Sequence, residues 1–222
     1  GFGGAMLWGF VTGETVSLRL QCLSQVLSKG VNGVVFGGFG YSESAKDRVK
    51  ALQTLIKEVP EEVGRCVYGV GDYREVVELV GVGVDFLVSE FPNACAKKGI
   101  AVVGLLEGLT EEGENGSSCS SPSSPSSSCS PLLDTKDPAF VVDDQPLSSS
   151  CSCYTCRNHT RAYLHHLHNT KELLSAKLLV VHNQAEFAKL MKEIQRQIDK
   201  GTFEQFRKKF ANKWGKVGED RK

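Results

Sequence analysis

Cys151-Ser152-Cys153-Tyr154-Thr155-Cys156 places three thiols within six residues, and His182 follows 26 residues after the last of them. Thiolates at this spacing converge on one tetrahedral ion when the loop carrying them is irregular. Zn²⁺ prefers sulfur and imidazole nitrogen, and a closed Cys₃His set is a structural site with no open coordination position. Free or disulfide-linked thiols are the competing reading. A tight cysteine group with a histidine downstream nevertheless follows the arithmetic of metal sites. Spacing alone leaves the fourth ligand open. His159, His165, His166 and His168 are nearer and lie on or just before a predicted helix. His182 sits where one helical pattern gives way to another, a place where the chain can fold back.

Outward from the thiols toward the C-terminus the pattern is helical. Ala162–Leu174 aligns Tyr163, Leu167 and Leu174. Glu186–Lys200 aligns Phe187, Leu190, Met191, Ile194 and Ile198 at helical spacing. Gly201 ends that run, and Thr202 can cap a last helix carrying Phe203, Phe206 and Phe210, before a polar tail from Gly215.

Outward toward the N-terminus, short apolar runs alternate with amphipathic stretches. Strands are expected at Leu7–Val11, Val34–Phe36, Cys66–Val70 and Asp85–Val88. Helices are expected at Val16–Lys29, Ala45–Glu58 and Tyr73–Val80. Continuous apolar strands alternating with helices imply a parallel sheet. Such units suit a doubly wound sheet or half of a (β/α)₈ barrel, since a whole barrel takes about 250 residues. Between residues 108 and 138 the character changes. Ser117–Ser130 holds ten serines, two prolines and two cysteines, Cys119 and Cys129. Such a tract buries too little apolar surface to offset its ordering entropy, so a disordered insertion is expected, with incidental thiols.

Composition narrows the field. Of 222 residues 41% are hydrophobic, enough for one core or for half of a larger domain. No apolar run approaches the roughly 20 residues that span a bilayer. No basic stretch precedes a signal-like apolar run at the N-terminus, so export is not expected. The start at Gly1 fits a fragment. Eight cysteines, three of them clustered, suit a reducing compartment better than a disulfide scaffold. The net charge of zero hides an asymmetry. Residues 1–156 carry 19 acidic and 11 basic side chains, whereas residues 157–222 carry 7 and 15. A basic C-terminal third can meet phosphate backbones; a solvated helix face is the plainer explanation.

C-x-C-x-x-C at 151–156, Arg161-Ala162-Tyr163-Leu164-His165-His166-Leu167 and Val181-His182-Asn183 resemble the zinc subdomain of tRNA-guanine transglycosylases, the queuine tRNA-ribosyltransferase family. The likeness runs from Phe140 to about Lys213. It implies one Zn²⁺ held by Cys151, Cys153, Cys156 and His182. Upstream, Gly9-Phe10-Val11-Thr12-Gly13 resembles the family's G-I-V-Q-G, and Gly37-Gly38-Phe39-Gly40-Tyr41-Ser42-Glu43 resembles G-G-L-A-V-G-E. Tyr68-Gly69-Val70-Gly71 resembles M-G-V-G, and Asp85 to Pro92 resembles D-M-F-D-C-V-M-P. Singly these are weak; four in order ahead of the cysteine motif are strong. The resemblance therefore implies an α/β chain forming the C-terminal portion of a (β/α)₈ TIM barrel. Residues 1–107 would be the second barrel half and 108–138 the insertion. Residues 139–214 would be the inserted zinc-binding subdomain with C-terminal helices, and 215–222 a tail. The family's first barrel half, with two substrate-binding aspartates, has no counterpart here.

The family exchanges a base on tRNA through a covalent ribose–enzyme intermediate whose nucleophile is the second Asp of D-M-F-D. Asp85 matches the first Asp, and Val88 stands at the nucleophile position. An isopropyl group has no lone pair with which to attack. Thr12 replaces the amide of G-I-V-Q-G, and Ala94 replaces an arginine of the basic pair after Pro92. Glu90 is a nearby carboxylate but lies two residues out of register. The pattern resembles the non-catalytic accessory branch of the eukaryotic members. That likeness implies a catalytic homologue as heterodimer partner and tRNA as the shared substrate. It implies a cytoplasmic setting, with association at the mitochondrial outer membrane, and no integral membrane segment. Tyr163, His165 and His166 are the expected dimer face, and Lys192, Arg196, Lys200, Arg207, Lys208 and Lys209 the expected tRNA contacts.

Overall fold

A computed structural model describes residues 5–39, 43–109 and 131–215. The serine-rich tract with Cys119 and Cys129, Gly40, Tyr41 and Ser42 of the glycine motif, and the tail beyond Gly215 lie outside the described residues. The chain divides into two compact units that part between Phe91 and Pro92.

The first unit alternates β1 (Trp8–Val11), α1 (Val16–Leu27), β2 (Gly33–Phe36), α2 (Ala45–Ile56), β3 (Gly64–Val70), α3 (Tyr73–Val82) and β4 (Phe86–Ser89). Each helix starts at a side-chain cap. Thr15 accepts from the Leu18 amide, Ser44 from Asp47 and Asp72 from Glu75, which satisfies amides that the first turn leaves orphaned. The strands form one parallel sheet in the order β1-β2-β3-β4. This is a mixed α/β fold with a parallel sheet, as the sequence pattern predicts.

Register separates the two faces of that sheet. Val11, Phe36, Val67 and Leu87 lie in one row, and the first three are fully buried. This is the helix side: a Cβ at Gly9 would collide with Val26 of α1, so glycine there lets helix and strand approach closely. The neighbouring row is Phe10, Val35, Cys66 and Phe86. On this second face Phe10, Tyr68, Phe86 and Val88 are 41–56% exposed. Trp8 lies across Gly33 and Gly64 and meets Phe86 edge to face at 5.4 Å. Parallel sheets are ordinarily covered on both faces; in this unit one face is covered and the other is open and apolar.

Two buried arginines repeat one device. Each stands four residues after its helix cap. Arg19 donates to the carbonyls of Gly37 (2.7 Å) and Gly38 (3.0 Å), past the end of β2. Arg48 donates to Gly69 at the end of β3 (3.3 Å) and pairs with buried Glu75, whose other oxygen accepts from the Gly71 amide (2.9 Å). Burial raises the Glu75 carboxyl, and the charge of Arg48 opposes that rise.

The second unit contains α4, which opens at the boundary (Phe91–Lys97), then β5 (Ile100–Val102) and β6 (Leu132–Asp134). After a 3₁₀ turn at Pro138–Phe140 come α5 (Tyr154–Asn158), α6 (Arg161–Asn169), α7 (Leu173–Asp199) and α8 (Phe203–Gly215). β5 and β6 pair antiparallel. Ala96, Ala101, Leu147, Leu164, Leu167, Leu178 and Leu179 make the core. Three expectations change. Leu132–Asp134 lies inside the expected insertion yet forms a strand, because it completes the ladder of β5. The helix expected over Ala162–Leu174 stops at Asn169, where Lys171 takes a positive φ, and Leu174 belongs to the next helix. α7 then runs unbroken through His182, which is no junction. Its buried positions Ser175, Leu178, Leu179, His182, Asn183, Glu186, Leu190, Glu193 and Ile194 keep helical spacing, but five of the nine are polar and hide the stripe.

Removing one partner from a buried ion pair strands the other, at a cost of about 3–5 kcal/mol, whereas an apolar replacement of both is often tolerated. Glu75→Ala and Arg48→Ala are each expected to lower the urea midpoint of the first unit sharply. The Arg48→Met/Glu75→Leu double variant should lose less than either single change. A double variant as unstable as the sum of the singles would show that the pair is not coupled.

Candidate metal centre

The centre is assembled from a loop, a short helix and the middle of a long one. Cys151 is buried in the loop after Leu147. Cys153 caps α5, its sulfur accepting from the Cys156 amide at 3.4 Å, and Cys156 lies on α5 itself. The Thr155 hydroxyl donates to the Leu178 carbonyl at 2.7 Å, which pins α5 against α7. His182, fully buried on α7, directs Nδ1 at the sulfurs of Cys156 (3.2 Å) and Cys153 (3.6 Å). The four candidate donor atoms of Cys151, Cys153, Cys156 and His182 all lie within 4.8 Å of one another, so the group can hold a metal ion. Among the described residues, His182 is the histidine that joins the three thiols.

The orientation of that imidazole is fixed from behind. His182 Nε2 lies 2.7 Å from the Val102 carbonyl on β5. A carbonyl only accepts, so Nε2 carries the proton and Nδ1 presents its lone pair to the sulfurs, the outer-shell arrangement that metal-binding histidines use. The next residue completes the attachment. Asn183 accepts from the Val102 amide (2.9 Å) and donates to the carbonyls of Pro92 (3.1 Å) and Ile100 (3.0 Å).

Crowded thiols cannot all ionise alone. The hydrogen bond from Cys156 pulls the Cys151 thiol far below its ordinary range, and the same bond pushes Cys156 up. Burial pushes Cys153 up as well. Glu186 sits beside Cys151 on α7, its carboxyl raised by burial and tied to Lys189 at 2.6 Å, and Lys189 also reaches the Ser150 carbonyl at 3.2 Å. Glu186 and Thr155 carry no expected role in the sequence, and Asn183 enters it only as part of the Val181-His182-Asn183 motif. Each is a buried polar side chain, and burial demands a partner.

The remaining expected site residues are scattered. His165 is buried: Nδ1 bonds the Thr135 carbonyl (2.9 Å) and Nε2 accepts from Asn169 (2.8 Å). It therefore cannot serve as an exposed dimer contact, a correction whose cause is the need to tie β6 to α6. Tyr163 and His166 are exposed, and the Tyr163 ring stacks on His159 at 5.1 Å. Asp85 accepts from the Arg65 amide (2.8 Å) and so secures the entry to β4. Val88 points from β4 into the open face, Thr12 is exposed after β1, and Glu90 is exposed past β4. Arg196 pairs with Glu193 and Arg207 with Glu204, while Lys192, Lys200, Lys208 and Lys209 are exposed.

A family model described as queuine tRNA-ribosyltransferase matches residues 3–216 of this chain. The chain belongs to the queuine tRNA-ribosyltransferase family. Similar curated members include the queuine tRNA-ribosyltransferases of Francisella tularensis subsp. tularensis strain WY96-3418 and subsp. novicida strain U112, each 31% identical over 205 residues. That of subsp. mediasiatica strain FSC147 is 30% identical over the same length. Each alignment covers 92% of this chain and 49% of the relative, so the chain spans about half the length of these family members. Among the described residues no helix is long and apolar enough to cross a membrane.

Asn183→Ala would remove three hydrogen bonds, at the Val102 amide and at the carbonyls of Ile100 and Pro92, a loss of about 2–4 kcal/mol at ~1 kcal/mol or more per bond. The expected readout is a lower urea midpoint with faster hydrogen exchange at Val102. Unchanged exchange there would show that β5 does not depend on Asn183.

Proposed function

We propose that this chain is a non-catalytic accessory subunit in the exchange of guanine for queuine at the wobble position of tRNA. The observation that carries the reading is Val88. It stands where the family pattern has its nucleophilic aspartate, and it projects a hydrocarbon from β4 onto the open face of the sheet. A covalent step on ribose needs a lone pair there. Thr12 and Ala94 remove two further polar groups of the pattern, while the cysteine–histidine cluster and its helices keep theirs. Loss at the reacting centre with retention of the scaffold fits a role in assembly and tRNA binding. The cytoplasm, with association at the mitochondrial outer membrane, is the setting that goes with this role.

The parallel sheet is read as half of a (β/α)₈ barrel. Phe10, Tyr68, Phe86 and Val88 would face its interior, and β1 and β4 each have one edge unpaired within the described sheet. The relatives' additional length is enough to supply the other half. We read residues up to Phe91 as the barrel half, and 92–107 with 131–214 as the zinc subdomain and its helices, a reading supported by the pairing of β5 with β6; the rest of the expected insertion and most of the expected tail lie outside the described residues.

The metal is read as Zn²⁺, one per chain. The donor set of three sulfurs and one imidazole nitrogen, closed and with a prepared second shell, fits a structural zinc. Such an ion would supply folding free energy and no bond-making. Metal analysis checks this: Cys153→Ala and His182→Ala should each lose stoichiometric zinc and loosen α5 and α7. Full zinc content in both variants would remove the assignment.

A partner resembling the catalytic family members is expected on the surface of α6. Tyr163 and His166 are its exposed groups, and a contact between homologous chains reuses one patch on both. Tyr163→Ala with His166→Ala should abolish co-purification of that partner while the fold stays intact.

Incorporation of labelled guanine into tRNA tests the whole reading. The isolated chain should give background incorporation, and addition of the catalytic homologue should restore it. Val88→Asp alone should not rescue turnover, because the base pocket would still lack the side-chain amide that Thr12 replaces. Robust turnover by the isolated chain would favour an active enzyme with a relocated nucleophile. Absence of any tRNA-modifying partner would favour a metal-stabilised interaction module.

A further inference from the structure

Six basic residues of α7 and α8 are expected near RNA, and the structure does not treat them alike. Where α7 ends and α8 begins, a cavity of about 100 Å³ is lined by Arg196 from α7, Lys200 just past its end and Lys209 from α8. One water needs only about 10–15 Å³ in the same measure, so the space suits a polyatomic ion. Gln197, Thr202 and Gln205 add polar lining, and Leu109 with Phe206, the latter buried, supplies an apolar side. Among the described residues, none that lines it is acidic.

The polar wall is built before any ligand arrives. Glu193 holds Arg196 through two contacts, at 3.0 and 3.2 Å, and accepts from Gln197 at 2.7 Å. Gln197 in turn accepts from the Thr202 hydroxyl at 2.6 Å. That chain fixes the guanidinium and the elbow between the helices. Glu193 offsets the charge of Arg196, which leaves Lys200 and Lys209 as the uncompensated cations; among the described residues neither is ion-paired. A cation at the end of α7 complements the helix dipole. That purpose needs one lysine, and it calls for neither Lys209 from the second helix nor an open cavity between them. By contrast Arg207 is paired with Glu204 and, with Lys208, lies outside the cavity.

We propose that the α7–α8 elbow is a seat for a backbone phosphate of RNA, with Lys200 and Lys209 as its charged donors and Arg196 as its fixed wall. The inference rests on the tRNA-binding reading above and narrows it to one place. A single oxyanion would satisfy the cavity. The choice of a polymer follows from Lys192, one turn before Arg196 on α7 and exposed, which offers a second contact to a neighbouring phosphate. Such contacts position a nucleic acid and carry no base preference.

The test uses the metal-loaded full chain and an anticodon stem-loop RNA, with affinity measured by fluorescence anisotropy across a salt series. Each phosphate neutralised contributes roughly 0.7–0.9 to the slope of log affinity against log salt. Lys200→Ala/Lys209→Ala should shrink the slope by about one such unit and weaken binding about tenfold at low salt. Lys200→Arg/Lys209→Arg should retain the slope, and Lys208→Ala should change it by much less than the pocket pair. The loss should be equal for stem-loops of unrelated sequence. Equal losses from Lys208→Ala and the pocket pair would overturn the seat and leave a diffuse basic surface. An unchanged slope in the pocket variant with wild-type binding intact would overturn the seat while the tRNA reading stood. Inorganic phosphate, added at matched ionic strength, should compete with RNA on the wild type and not on the pocket variant. Phosphate binding at the elbow without any effect of the variant on RNA would assign the cavity to free phosphate instead. No RNA affinity in the wild type would overturn the tRNA reading itself, and the seat with it.

Discussion

The imidazole of His182 faces two ways, and the second unit is built around that fact. One ring nitrogen is spent on the Val102 carbonyl, so the other must face the thiols. Because His182 lies in the middle of a 27-residue helix, the ring cannot drift with a flexible loop. The adjacent Asn183 fastens the same strand by two further bonds and reaches α4 at the Pro92 carbonyl by a third. Strand, helix and thiol loop are thus referenced to one side chain. Without a cation the three sulfurs compete for ionisation, one favoured and its neighbours suppressed. A divalent ion favours all three thiolates together, which is why folding and metal affinity are linked in such sites.

The first unit poses the opposite problem. Its helix side is closed by apolar packing at Val11, Phe36 and Val67, while its other side displays rings and branched aliphatics to solvent. An open apolar face of this kind calls for a cover. The same unit invests buried arginines in the turns after β2 and β3, fixing backbone beyond the strand ends rather than filling a core. Strand C-terminal ends carry the chemistry in barrel enzymes. On the proposed barrel reading, Arg19 and Arg48 hold the turns at two of those ends.

Much of this was legible in the sequence, for physical reasons that differ by segment. The β/α ladder was read to within about two residues at each boundary, because buried parallel strands are continuously apolar and their helices are capped by Thr15, Ser44 and Asp72. The thiols and His182 were legible from spacing and family likeness. The course of α7 was not. His182, Asn183 and Glu186 occupy its buried stripe, and polar residues there look like an interruption unless their partners are known. Those partners, Val102, Ile100, Pro92 and Cys151, lie between about 30 and 90 residues away in sequence. His165 misled for the related reason that an amphipathic ring suits a surface and a core equally, and only its bond to Thr135 decides between them. β6 was hidden by its neighbours, since three strand residues beside a serine tract carry almost no pattern of their own.

The two units therefore carry opposite signatures of constraint. In the second, nearly every polar side chain on a buried face has a partner, and losing one would leave a donor or acceptor stranded. In the first, the position that matters for catalysis in the family pattern is filled by Val88, whose replacement of a carboxylate strands nothing. A buried carboxylate must be desolvated and held by donors, as Glu75 is by Arg48 and Gly71. On the accessory-subunit reading, Val88 has no such requirement: a hydrocarbon on an apolar face costs nothing to keep and adds to the interior of a completed barrel. Once a partner chain supplies the chemistry, selection on stability alone would favour valine at that position over aspartate. The donor network around the thiols has no comparable substitute, because each of its members holds another in place.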